Sequence, residues 1–390
     1  MIDFNFNMPD QILFGSGKVS NLYKYIDRFG KNILVVADNE IVNTEKISSL
    51  ISGLRNYGCD LNLVTTNEEP TDEFIEKLYI KLSVRKLDLV VSIGGSSSID
   101  IAKIISVLLA NNITIAQLIN GKTLDNTLTF IPHIALPVIN GGGSESTSRV
   151  IISNYSDEPH KIILKRPEFI PLLSIIDPEI VGDMDMNGFK IAALNTFSLL
   201  MQCYISKDST SLTDMFMLEG LEYISNCLSS IASKCFSSYE IECLEYASLF
   251  AGLGIENSSL TIIEGLANAI GSLYNCERKD ITAAITPKIS SFNIGRVQFY
   301  DKNLDTTLKY AKVGSILTGI DYSFEKRDVL LKGLLNKLDS LYRTLEVPSL
   351  KDYGVVKDDF YRIITLTEHF GNPIELAESE IDSMLESCLK

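Results

Sequence analysis

The sequence predicts an α/β amino-terminal domain, a doubly wound parallel sheet of Rossmann type, followed by an all-helical domain. Three observations carry that reading. Short apolar runs alternate with helically spaced stretches through the first half of the 390-residue chain. Glycine turns close two of those runs, at Gly94-Gly95 and at Gly141-Gly142-Gly143. From Met186 onward the apolar spacing is helical and no strand pattern returns.

Residues 32–37, NILVVA, end in Asp38 and read as a buried strand. Residues 42–57 carry helical spacing, 61–66 form a second strand, and Glu69-Pro70-Thr71 opens a helix over 71–84. Residues 87–93 are the next buried strand. Gly94 and Gly95 break it, and Ser96, Ser97 and Ser98 follow. Ile101, Ile104, Ile105, Leu108 and Leu109 then set a helical period over 100–109. Residues 131–138 are a further strand, followed by Asn140-Gly141-Gly142-Gly143-Ser144. Helices between strands imply parallel pairing, and ligands then lie off the carboxyl ends of the strands. Asp38 and both glycine turns fall at that edge. Either turn alone is explained by a tight connection. Together with Asp38 they favour a ligand site. Glycine admits close backbone approach, and the amino end of the following helix suits a pyrophosphate.

Beyond Asp177-Pro178 the pattern changes. Helical spacing covers 212–231, 242–253, 260–274 and 329–345. The expected division is 1–182 for the α/β domain and 183–390 for the helical domain. The cleft between them is the expected active site.

Net charge is −15, which disfavours nucleic acid and anionic membrane surfaces as partners. No apolar run approaches the length of a membrane span, and MIDFNFNMPD has neither the basic start nor the apolar core of a signal peptide. Seven cysteines are scattered without a Cys-x-x-Cys pair, which points to reduced thiols and a cytoplasmic location.

These residues resemble the iron-containing alcohol dehydrogenase family, within the dehydroquinate synthase-like superfamily. Gly94-Gly95-Ser96-Ser97-Ser98-Ile99-Asp100-Ile101-Ala102-Lys103 matches the family's GGGSsxDxAK, with Ser96 for the third glycine. Pro137 to Glu145 matches PTTAGTGSE, with Val138 and Ile139 replacing two threonines. Ile12 to Gly17, Lys161, Asp177-Pro178, Tyr204-Ile205-Ser206, Thr213-Asp214 and the 247–254 segment ASLFAGLG extend the match over nearly the whole chain. The resemblance implies NAD binding by Asp38, Gly94, Gly95, Ser96, Ser97, Asp100, Val138, Ile139 and Lys161, and a dimer or larger homo-oligomer. Asp38 would meet the adenosine ribose and favour NAD over NADP. The alternative for Asp38 is a turn or N-cap residue before Val42.

The family's metal is held by one Asp and three His. The resemblance places those positions at Asn195, Leu199, Glu264 and Arg278, with Asn268 replacing a further histidine near the substrate. The chain has only His133, His160 and His369, none paired at metal spacing. The expectation is therefore no metal. Arg278 is the cation that remains, suited to a developing alkoxide or to a substrate carboxylate. Glu264 either orients it or acts as a base; alternatively, the two form a salt bridge that plugs a vacated cavity. Two functions stay open. One is a metal-independent NAD-linked oxidoreductase acting on a small-molecule or peptide substrate, including oxidative decarboxylation of a β-hydroxy acid or peptide C-terminus. The other is a non-catalytic NAD-binding subunit or regulatory partner.

Overall fold

The structure, a computed structural model, describes residues 4–66, 69–121, 128–138, 141–154, 160–181, 186–233, 237–300 and 304–389. The chain separates into two units, Asn7–Asp185 and Met186–Lys390, the second of which also takes Met1–Phe6. Phe6 belongs there because its ring packs 5.5 Å from that of Phe216.

The first unit runs β1 (Gln11–Phe14), α1 (Leu22–Phe29), β2 (Asn32–Asp38), α2 (Glu45–Asn56), β3 (Asp60–Thr66), α3 (Asp72–Leu82), β4 (Leu89–Gly94), α4 (Ser96–Asn111), α5 (Ile115–Asn120), β5 (His133–Pro137), β6 (Arg149–Asn154), β7 (His160–Lys165) and β8 (Leu173–Ile176). Six strands form one sheet in the order β1-β8-β5-β4-β2-β3, every pair parallel. β6 and β7 make a separate antiparallel pair. The central strand β4 has β2 on one side and β5 on the other.

Helix α4 explains why this sheet holds together. Ile101, Ile104, Ile105 and Leu108 pack with Leu34, Val36, Val90, Val150, Ile152 and Phe169 in one core. Such a helix, apolar on nearly every face, must be covered all round. Each fully buried Ile or Leu contributes about 1.5–3 kcal/mol.

Local chemistry moves several boundaries from those the spacing predicts. The helix expected over 42–57 begins at Glu45, because the Asp38 carbonyl accepts from the N–H groups of Ile41 and Val42 in a tight turn. The Thr71 hydroxyl caps α3, accepting from the N–H of Phe74 at 3.1 Å. The three serines after Gly95 are the first turn of α4 rather than a loop before it. Strands β6, β7 and β8 are not visible in the apolar pattern. β8 has four residues, and β6 and β7 are largely half-exposed.

The second unit is helical among the described residues: α6 (Met186–Ile205), α7 (Ser211–Ala232), α8 (Ser238–Asn257), α9 (Ile262–Leu273), α10 (Arg278–Tyr300), α11 (Asp305–Thr318), α12 (Arg327–Thr344), α13 (Phe360–Leu366) and α14 (Glu378–Cys388). α9 and α10 share a core through Ile263, Leu266, Ile270, Ile281, Ile285 and Ile289. A side chain at Gly265 would meet the Glu368 carbonyl oxygen at 1.9 Å, so α9 lies directly on backbone there.

His133 is buried on β5 and bonds the Ser92 hydroxyl through Nε2 at 2.9 Å. Burial, then the nearby Lys103 charge, lower its pKa from 6.5 to about 3. The unfolded chain therefore binds a proton that the native state refuses between those values. Stability from this group is present above pH 6.5 and is lost as pH falls below it. Between pH 7 and pH 5 the unaltered protein should lose about 2 kcal/mol more unfolding free energy than His133→Gln. Urea titrations at the two pH values check this; equal losses would contradict it.

Candidate active site

Asp38 ends β2 and Gly94 ends β4, side by side in the register. The Gly95 N–H donates to Asp38 Oδ2 at 2.7 Å. Gly94 has φ +140°, and a Cβ there would sit 2.4 Å from the same oxygen. Glycine is thus required twice over, by the backbone angle and by the carboxylate above it. Gly94 in turn accepts from the Val138 N–H at 3.0 Å, tying the β4 turn to the exit of β5. Gly95 is the N-cap of α4, and Gly95, Ser96 and Ser97 are only half-buried there. Amide dipoles converge on that end, which suits a negatively charged group. Ile139 lies outside the described residues; Val138 is buried.

Two other predicted residues are engaged in holding the unit together. Asp100 is buried and accepts from the Ile151 N–H at 3.0 Å. Lys161, with 3% of its side chain exposed, pairs with the Glu69 carboxylate. Glu69 also accepts from the Ser153 hydroxyl at 2.8 Å. Asp177 accepts from the N–H groups of Gly17, Val19 and Glu179, fixing the turn after β1.

In the helical unit Glu264 lies in the first turn of α9 with no solvent exposure. Arg278 opens α10, and its Nη1 donates to Glu264 Oε1 at 2.5 Å. The guanidinium side chain keeps 13% exposure. Asn268 stands one turn beyond Glu264 on the same face of α9. It is 8% exposed, and neither amide atom has a hydrogen-bond partner among the described residues. Asn195 and Leu199 are buried on α6.

A polar network missed by sequence reasoning holds α9 in place. Gln202 Oε1 accepts from both the N–H and the hydroxyl of Thr261, at 3.1 and 2.9 Å. Its Nε2 donates to Ser198, whose hydroxyl lies 2.6 Å from that of Thr286 on α10. Thr261 precedes α9, so this chain sets where Glu264 emerges. The available signal was polar residues spaced i, i+4 on an otherwise apolar helix, Ser198 and Gln202.

With this geometry in view, the comparisons are decisive at the level of the family. The sequence profile described as iron-containing alcohol dehydrogenase matches residues 9–178, and that of the Fe-containing alcohol dehydrogenase family, C-terminal, matches residues 191–389. The chain belongs to the iron-containing alcohol dehydrogenase family. It is 24% identical over 292 residues to the NAD-dependent methanol dehydrogenase of Bacillus methanolicus, covering 74% of this chain and 76% of that one. It is 22% identical to the 1,3-propanediol dehydrogenase of Klebsiella pneumoniae over 99% of this chain and 98% of that one. The crystal structure of a 1,3-propanediol oxidoreductase superposes with a TM-score of 0.87 at 19% identity, covering 99% of this chain and 100% of that chain. The NADH-dependent butanol dehydrogenase A of Thermotoga maritima gives 0.83 at 18% identity, covering 100% and 99%. These solved structures carry the fold. Family membership makes the chain an alcohol dehydrogenase-like oxidoreductase.

Asn195, Leu199, Glu264 and Arg278, the residues that the resemblance puts at the family's ligand positions, do not fit a divalent ion. Leu199 has no donor atom. Arg278 brings a fixed positive charge, and its guanidinium holds the Glu264 carboxylate. The pair is also structural. Removing one partner of a buried ion pair strands the other charge and costs about 3–5 kcal/mol. Arg278→Met should therefore lower unfolding free energy by about that amount, and adding Glu264→Gln should recover most of it. Denaturant titrations of the singles and the double check the cycle; additive losses would contradict a direct pair.

Proposed function

We propose that this chain is a metal-independent oxidoreductase that moves a hydride between NAD and a hydroxyl or carbonyl substrate. The single observation that carries the reading is the Glu264–Arg278 pair at the positions where the family keeps its metal. The dinucleotide is assigned to Asp38 and the Gly94–Ser97 turn. The carboxylate of Asp38 accepts from ribose hydroxyls and repels a 2′-phosphate, which favours NAD over NADP. Gly95, Ser96 and Ser97 present the amino end of α4 to the pyrophosphate. When bound, NAD accepts or returns the hydride.

The helical unit supplies the substrate groups. Oxidation of an alcohol leaves negative charge on its oxygen as the hydride departs. In this reading Arg278 supplies the opposing positive charge, and Glu264 fixes the guanidinium in place. An arginine carries five N–H donors in a planar fork, a geometry suited to an alkoxide or a substrate carboxylate. Asn268, whose amide atoms have no hydrogen-bond partner among the described residues, adds a donor and an acceptor for the reacting hydroxyl.

The same pair favours a second reading, since a neutralised guanidinium also suits an inert plug in a non-catalytic NAD-binding subunit. Turnover separates the two. Arg278→Ala should lose two to three orders of magnitude in rate, about 3–4 kcal/mol, with NADH affinity unchanged. Arg278→Lys should keep part of the rate. The Arg278→Met/Glu264→Gln double variant should be stable yet inactive; full turnover by it would remove the catalytic role of Arg278, whereas no turnover by the unaltered protein would leave the non-catalytic subunit.

Cofactor preference is tested at Asp38. Asp38→Gly should narrow the preference for NADH over NADPH by about 1–3 kcal/mol, as loss of a charged hydrogen bond does. Calorimetry that finds tighter NADPH binding in the unaltered protein would contradict the assignment.

A further inference from the structure

The last residue of the 94–103 motif, Lys103, is given no role by the proposed reaction. It is 1% exposed, on the second turn of α4. Its ammonium donates to the Thr147 hydroxyl at 3.2 Å and to the Arg149 carbonyl at 3.0 Å, and Asp100 Oδ1 lies 3.6 Å away. Asp100 in turn accepts from the Ile151 N–H. One helix turn therefore grips the chain at 147, 149 and 151. That segment continues directly from the Gly141–Gly143 loop, where Gly141 and Gly143 have φ +57° and +67°. The loop is stitched internally as well. The Ser146 hydroxyl donates to the Gly143 carbonyl at 3.1 Å, and the Ser174 hydroxyl to that of Glu145 at 2.5 Å.

The strand order shows what the grip accomplishes. Asp38 ends β2, on one side of β4, and the 141–149 segment follows β5, on the other side. A dinucleotide with its adenosine ribose at Asp38 and its pyrophosphate over the end of β4 must carry its second nucleoside toward the exit of β5. The same helix that offers its amino end to the pyrophosphate holds, through Lys103, the loop that would receive that second half. Burying an ammonium is unfavourable unless several acceptors surround it, so this arrangement is a rigid one.

We infer that Lys103, with Asp100, is a positioning residue for the dinucleotide: it locks the Gly141–Thr147 segment to α4 so that the two halves of the cofactor meet one rigid cradle. The inference rests on the dinucleotide reading above. Thr147 is the place to test it, because Thr147→Val keeps the side-chain shape and removes the hydroxyl that Lys103 grips, together with that hydroxyl's 3.4 Å bonds to the Ser144 and Arg149 carbonyls. Calorimetry compares NADH with ADP, which carries the adenosine and diphosphate alone. Thr147→Val should weaken NADH by about tenfold relative to ADP, and Thr147→Ser should restore the unaltered ratio. Lys103→Met, where it folds, should disturb the ratio further. A general loss of structure would weaken both ligands by one factor. An unchanged NADH-to-ADP ratio in Thr147→Val, or the same disturbance in Thr147→Ser, overturns the inference. If the unaltered protein binds neither ligand, the dinucleotide reading itself fails.

Discussion

A charge taken out of water must be answered by its neighbours, and that constraint organises both units of this protein. Lys103 is buried in the α/β unit, where a hydroxyl, a carbonyl and the Asp100 carboxylate surround it. Its charge helps to keep His133 neutral on the adjacent strand. In the helical unit Glu264 is fully buried and is answered by Arg278. Hydrogen bonds and packing then have fixed points to build on. The Gln202–Thr261 bonds set the start of α9, and Gly265 lets that helix rest on the backbone of Glu368.

The parts of the fold legible in the sequence are those where one physical demand dominates. Residues 33–37 and 89–94 are buried on both faces, so they read as apolar runs broken only by Ser92, and β2 and β4 appear where expected. Gly94 is legible because a strained φ and the Asp38 carboxylate both exclude a side chain. The β6–β7 pair is not, since its half-exposed residues give no continuous apolar run, and four-residue β8 is too short to stand out. Lys103 could have been noticed as a charge three residues after Asp100 on a helix whose other residues are Ile, Ala, Leu, Val, Ser and Asn. Its acceptors at 147 and 149 are a matter of tertiary folding that spacing does not encode.

The candidate site shows the same division. The expectation that Asn195, Leu199, Glu264 and Arg278 stand at the ligand positions comes from the resemblance. That Glu264 and Arg278 actually meet, across fourteen positions of sequence, is visible only in three dimensions. Glu264 is placed by a polar chain running from Thr286 through Ser198 and Gln202 to Thr261, whose members sit on three different segments. The local alternation of apolar and polar residues carries no information about which of them will touch.

Under the proposed function a fixed guanidinium, rather than a metal ion, supplies the positive charge beside the reacting oxygen. The most direct measurement is NADH-dependent turnover by protein stripped with a strong chelator and checked by elemental analysis, against a panel of short aldehydes, hydroxy acids and diols. The account predicts turnover that chelation leaves unchanged and that added iron or zinc does not raise. Activity abolished by chelation and restored by one equivalent of a divalent ion per chain would contradict it.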